Sequence, residues 1–258
     1  MEISLFNSLL LISMALFAGA LNSIAGGGTF FTFPVLLAIG VPPITANASN
    51  TVALCPASIA GAWAYRQELR PLKNRLLSLS LIAFIGGGLG GILLLYIEER
   101  LFTYLIPYLI LLATLLFAFS DQIKKYVRHT QTHQPASLQR RVLETLVKLF
   151  TAIYGGFFGA GLGIMLLGAL AISHQEELHT LNALKNILSA IIYSVAVITF
   201  TLAGAVSWSH TLIMMLGTIV GGYFGVSLAR CLPPHQLKRF IVTVGTGLTL
   251  YYFIRSMQ

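Results

Sequence analysis

The sequence predicts an all-α polytopic membrane protein made of two inverted repeats, each a glycine-broken membrane hairpin followed by long transmembrane helices. Three observations carry that expectation. The chain is 56% hydrophobic and 9% charged over 258 residues, with a mean hydropathy of +0.82, whereas soluble domains have about 25% charged residues. Apolar runs near the length of a bilayer crossing recur along nearly the whole chain, leaving no room for a separate soluble domain. A glycine-rich motif occurs twice, and the loops that follow its two copies differ in charge.

The first segment, MEISLFNSLLLISMALFAGALN, has no basic start and no A-x-A cleavage site, so it reads as a retained membrane segment. Hydropathy places spans at 5–22, 29–40, 45–65, 76–97, 101–119, 146–158, 161–173, 183–204, 211–229 and 237–255. Those at 29–40, 146–158 and 161–173 are too short for an ordinary crossing. The polar stretch 120–145 divides the chain into a first repeat (1–119), a cytoplasmic linker (120–145) and a second repeat (146–258).

The halves correspond motif by motif. NSIAGGGT (22–29) matches GGFFGAGL (155–162), and the polar cluster TANASNT (45–51) matches TLNALKN (180–186). Gly217, Gly221 and Gly225 form a small-xxx-small series whose counterpart is Gly87 and Gly91. That spacing reads as close helix packing.

Charge orients the halves. Thirteen of the 16 Lys and Arg lie in 66–75, 124–148 and 230–239. The positive-inside rule puts all three stretches in the cytoplasm and both termini outside. The net charge of +8 is therefore a topology signal and not a nucleic-acid surface. Basic 66–75 corresponds to uncharged 205–210, and basic 230–239 to acidic 98–100. Corresponding loops thus fall on opposite sides, the pattern of an inverted repeat. Residues 5–40 then enter and leave from outside, and 146–173 from inside, each turning within the membrane at its glycines.

A glycine costs roughly 1 kcal/mol against alanine in a helix interior, so three in a row at 26–28 need a reason. Broken helices at membrane depth occur where protein or a water-filled cavity surrounds them. Glycine supplies positive φ and lets a ligand approach the backbone. Helices restarting at Thr29 and near Leu162 would aim their N-termini, which favour anions, at the membrane interior. The alternative is that the glycines only permit tight helix crossing.

No carboxylate sits within a span: Glu2, Glu68, Glu98, Glu99, Asp121, Glu144, Glu176 and Glu177 are all at segment ends or in loops. Asn182, Lys185, Asn186 and Ser189 share one helical face, as do Asn47, Asn50, Thr51 and Ser58. Amide, hydroxyl and ammonium donors without carboxylates suit an oxyanion. The candidate substrate site is Asn22, Ser23, Gly26, Gly27, Gly28, Thr29, Gly159 and Gly161 at the turns, with Asn47, Asn50, Thr51, Asn182, Lys185 and Asn186 on the stripes. Against this stand a Lys185 that snorkels to the interface and asparagines that only bond helix to helix. Cys55 and Cys231 read as buried thiols. No catalytic or metal-ligating constellation is evident and no cofactor is implied, so an enzyme is not expected. The glycine runs GAGLG and GGGLGG follow no strand and are not nucleotide loops.

The stretches AGALNSIAGGGTFFTFPVLLAIGVPP and ANASNTVALCPASIAGAWAYR resemble the first repeat of the TauE/SafE sulfite exporter (TSUP) family. YGGFFGAGLGIML, ALKN and GTIVGGYFG resemble its second repeat. The resemblance covers nearly the whole chain. It implies a multi-pass bacterial inner-membrane transporter of sulfite, organosulfur compounds or related small anions. Many relatives carry an acidic residue before each glycine motif, where this chain has Asn22 and Gly155, and a lysine where it has Thr51; Lys185 matches the second-repeat lysine. The expected partners are a small anionic substrate and the lipid bilayer, not nucleic acid, with a homodimer left open. The reading is a carrier with one central site between the repeats. Its rivals are a passive small-anion channel and a non-transporting scaffold or intramembrane enzyme.

Overall fold

The computed structural model describes residues 4–69, 73–122, 138–173, 178–228 and 234–256. Among them are eleven helices and no strand: α1 (Leu5–Ala25), α2 (Thr29–Ala38), α3 (Pro43–Ala64), α4 (Arg66–Leu69), α5 (Lys73–Tyr96), α6 (Glu99–Ala118), α7 (Leu138–Phe157), α8 (Leu162–Ser173), α9 (Leu178–Leu202), α10 (Trp208–Leu228) and α11 (Pro234–Ser256). Linker residues 123–137, Cys231 and the acidic pair Glu176 and Glu177 lie outside the described residues, as do the surroundings of Gly225.

Among the described residues, four helices are long and apolar enough to cross a bilayer by length and composition, within Leu5–Ser23, Leu76–Tyr96, Glu99–Ala118 and Thr180–Leu202. At 1.5 Å per residue α1 is about 32 Å long, while α2 is only about 15 Å and α8 about 18 Å. The last two therefore reach roughly halfway through a 30 Å hydrocarbon layer. Exposed apolar side chains such as Leu5, Phe6, Leu77, Phe84, Leu216 and Phe224 cover the outside of the bundle. An apolar surface of this extent needs lipid against it.

The breaks fall at the two glycine motifs. α1 opens on Ser4, whose hydroxyl accepts from the Asn7 N–H, and closes on Gly26 at φ 75°. α2 restarts at Thr29. In the second half α7 closes at Phe157, and Gly159 and Gly161 take φ 76° and 72° before α8 begins at Leu162. Left-handed backbone of this kind is nearly strain-free only for glycine.

α7 begins at Leu138, earlier than the apolar run that opens at Leu146. Its first turns are amphipathic and carry an Arg140–Glu144 pair at 3.2 Å, one helical turn apart. The basic stretch 66–75 includes the single turn α4 and the start of α5.

Packing follows a two-fold scheme. α1 lies against α10, α7 against α5, α3 against both α9 and α10, α9 against α5, and α6 against α11. Exchanging α1, α2, α3, α5 and α6 for α7, α8, α9, α10 and α11 maps each of these pairings onto another or onto itself. Small residues make the closest contacts. A Cβ on Gly221 would lie 1.9 Å from the Leu16 carbonyl oxygen, and one on Gly217 2.6 Å from that of Ile12. On α5 it is Gly86 and Gly90 that face α7, with Cβ positions 2.5 Å from Ala152 Cβ and 2.0 Å from the Ile153 carbonyl oxygen. Gly87 and Gly91 turn instead toward Ile192 and Thr199 of α9.

Candidate functional site

The two glycine tips meet. A Cβ on Gly26 would lie 2.4 Å from the backbone nitrogen of Gly163, in the first turn of α8. Phe117 of α6 touches both tips: its ring is 2.9 Å from the Cβ position of Gly27 and 3.6 Å from that of Gly161. Phe33 of α2 packs edge-on against Phe158 of the second tip at 5.5 Å between centroids.

Each polar stripe reaches across to the other half. Lys185 on α9 donates to the Ser23 carbonyl oxygen at 3.0 Å, in the last turn of α1. Asn47 on α3 donates to the Phe157 carbonyl oxygen at 2.8 Å, at the end of α7. Both acceptors belong to the final turn of a helix, whose carbonyls have no partner further along the chain. A cation there also meets the negative end of the helix dipole. Lys185 is only 1% exposed, so it does not snorkel to an interface.

The first tip is further held by hydrogen bonds within its own half and by one to α10 of the other half. The Asn22 amide donates to Ser58 Oγ at 3.0 Å. The Ser23 hydroxyl donates to the carbonyls of Gly222 at 3.1 Å and Ala57 at 3.4 Å. Asn50 donates to Thr29 Oγ1 at 3.2 Å and accepts from Thr32 Oγ1, which also bonds the Gly28 carbonyl. The Thr51 hydroxyl is used within α3, on the Asn47 carbonyl at 2.9 Å. Asn182 is half-buried one turn before Lys185. At the second tip the hydroxyls of Tyr154 and Tyr193 donate to the carbonyls of Ala160 and Gly159. The Cys55 thiol is buried and lies 3.6 Å from Ser194 Oγ.

The candidate residues thus gather mainly into three groups: Asn22, Ser23 and Lys185 at the end of α1, Gly28, Thr29 and Asn50 at the start of α2, and Asn47, whose carbonyl takes the Thr51 hydroxyl, at the end of α7. Most are bonded to one another. Two buried amide atoms are not: Asn47 Oδ1 and Asn186 Nδ2 have no hydrogen-bond partner. Asn186 lies against Gly61, where a Cβ would come within 3.1 Å of its Cγ. A buried unpaired amide costs about 1–3 kcal/mol. Among the residues whose side-chain burial is described, Lys185 is the one buried Lys, Arg, Asp or Glu.

Sequence reasoning missed Thr32, Phe117, Tyr154 and Tyr193. Thr32 was findable, because it follows Thr29 by one turn on the face of α2 that meets Asn50. Phe117 sits in an apolar run and carries no signal of its own.

Residues 11–252 match the family described as "Sulfite exporter TauE/SafE". The chain is 26% identical over 258 residues to the "Probable membrane transporter protein YfcA" of Escherichia coli K12, covering 95% of this chain and 92% of that protein. It is 26% identical over 256 residues to a "Probable membrane transporter protein" of Haemophilus influenzae, covering 96% and 95%. A third relative, the "Probable membrane transporter protein ORF9" of a Sinorhizobium species, is 26% identical over 243 residues, covering 92% and 88%. No solved structure matches the chain.

Proposed function

The chain belongs to the sulfite exporter TauE/SafE family of multi-pass bacterial membrane transporters, and on that premise we propose that its cargo is a small oxyanion, sulfite or an organosulfur anion. The cargo is held where the two glycine tips and the polar stripes converge. One observation carries the reading: a lysine with 1% exposure sits at the end of a broken helix, in a protein whose buried described side chains include no Asp or Glu. An ionisable group inside a membrane is costly and by default marks a transport path. A cation with amide donors and backbone N–H groups recognises a negative charge; a carboxylate would be wanted for a cationic cargo.

The unpaired Asn186 Nδ2 is a donor beside Lys185 in sequence, and it supports the same reading. The exchangeable pairing of helices supports two repeats that rock about this centre, the inverted arrangement expected of many secondary transporters. Under that scheme the α1–α2 hairpin enters from outside and the α7–α8 hairpin from the cytoplasm.

The test is equilibrium binding to purified protein with sulfite, thiosulfate, sulfoacetate and taurine. Saturable binding of one or more of the anions is expected, with affinity reduced in Lys185→Gln. Binding of none of them, by well-folded protein, contradicts the assignment.

A further inference from the structure

A second feature lies at one end of the α6–α11 pair, away from the glycine tips. A cavity of about 330 Å³ opens there, lined by Leu37, Val41 and Pro42 at the α2–α3 turn, Thr103 and Ile106 near the start of α6, and Tyr252 and Arg255 near the end of α11. Its volume is within the usual range for small-molecule pockets, about 300–1,000 Å³. The lining is apolar on the α2–α3 side. On the facing side it carries a guanidinium and two hydroxyls.

The opposite end of the same helix pair is built differently. There Lys238, near the start of α11, meets Asp121, just beyond α6, at 2.6 Å. Exchanging α6 for α11 places Thr103 where Lys238 is and Arg255 near where Asp121 is. At the cavity end the corresponding positions therefore hold a hydroxyl and a cation, and Arg255 forms no ion pair with a carboxylate among the described residues. One end of the pair is bridged by opposite charges; the other keeps its cation facing an open, half-apolar space. Thr103 gives its hydroxyl proton to the Glu99 carbonyl at 2.7 Å, and neither Glu98 nor Glu99 lines the cavity.

We propose that this cavity is an entry vestibule that takes a small organic anion, a sulfonate with a short hydrocarbon body, with Arg255 facing the charged head and Leu37, Val41 and Pro42 the body. Guanidinium groups pair well with planar or tetrahedral oxyanions because their N–H donors form a fixed fork. The vestibule rests on the anion-transport reading but uses none of the residues of the central site, so the two fail separately.

The experiment places a cysteine at Thr103 in protein with Cys55 and Cys231 replaced by alanine, held in lipid nanodiscs so that both faces are accessible. Labelling rates are measured with two thiol reagents, methanethiosulfonate ethylsulfonate and methanethiosulfonate ethyltrimethylammonium. Relative to a free thiol, the anionic reagent is expected to gain at least about tenfold over the cationic one. Arg255→Gln should remove the preference and Arg255→Lys should keep much of it. Ethanesulfonate should slow labelling, and choline should not. A preference unchanged by Arg255→Gln, or none in the parent, overturns the vestibule. Labelling that occurs in detergent but is blocked in nanodiscs means that a lipid chain fills the cavity, and overturns it too. Because Lys185 plays no part in this readout, loss of anion binding in Lys185→Gln bears on the central site alone.

Discussion

The Lys185 ammonium reaches across the bundle from α9 to donate a 3.0 Å hydrogen bond to the Ser23 carbonyl oxygen at the end of α1. The charge of the second half thus caps the broken helix of the first. In the proposed site this lysine would have two tasks, holding a helix end and presenting a positive charge to the anion. Lys185→Gln keeps a donor and removes the charge. Since a charged hydrogen bond contributes about 1.5–3 kcal/mol, anion affinity should fall roughly ten- to a hundredfold at 1.4 kcal/mol per tenfold. Isothermal titration with sulfite checks this; unchanged affinity leaves Lys185 a helix cap only.

Asn186 separates stability from recognition. Its buried Nδ2 has no partner, and leaving an amide donor unpaired is destabilising. Asn186→Leu, close in volume, should hold or raise the melting temperature while weakening anion binding about tenfold, the cost of one donor to a charged ligand. A lower melting temperature with intact binding would assign the amide a structural role.

Gly26 and Gly40 share a positive φ, 75° and 88°, but differ in surroundings. A Cβ on Gly26 meets the Gly163 backbone at 2.4 Å, while nothing lies within 4 Å of one on Gly40. Gly40→Ala should cost only the left-handed backbone penalty, about 1–2 kcal/mol. Gly26→Ala should cost more and should also impair transport, because it separates the tips. Thermal unfolding in detergent ranks the two; equal losses would mean that the tip contact is loose.

Gly221→Ala should disrupt the α1–α10 contact, since its Cβ would fall 1.9 Å from the Leu16 carbonyl oxygen. Gly91→Ala, whose Cβ meets Thr199 at an ordinary 3.5 Å, should fold normally. Yield of monodisperse protein after extraction distinguishes them.

The hairpin breaks were legible because glycine is a local signal: α2 starts at Thr29 and α8 at Leu162, where the motifs end. The start of α7 was not, because Arg140, Arg141 and Glu144 lower the hydropathy of turns that are helical all the same. The stretch GGGLGG offers several registers four residues apart, and only the partner helix selects Gly86 and Gly90 over Gly87 and Gly91. The polar stripes were visible from spacing. Their partners were not, because Ser23 and Phe157 act through backbone carbonyls that any residue would supply. Phe117 reads like any lipid-facing phenylalanine until the two tips are brought against it.

The most direct test of the central claim is counterflow of sulfur-35-labelled sulfite into proteoliposomes preloaded with unlabelled sulfite. A carrier with one central anion site predicts a transient accumulation above equilibrium that saturates with external sulfite and is lost in Lys185→Gln. Flux that rises linearly with concentration and shows no overshoot, or an overshoot unchanged by Lys185→Gln, would contradict the account.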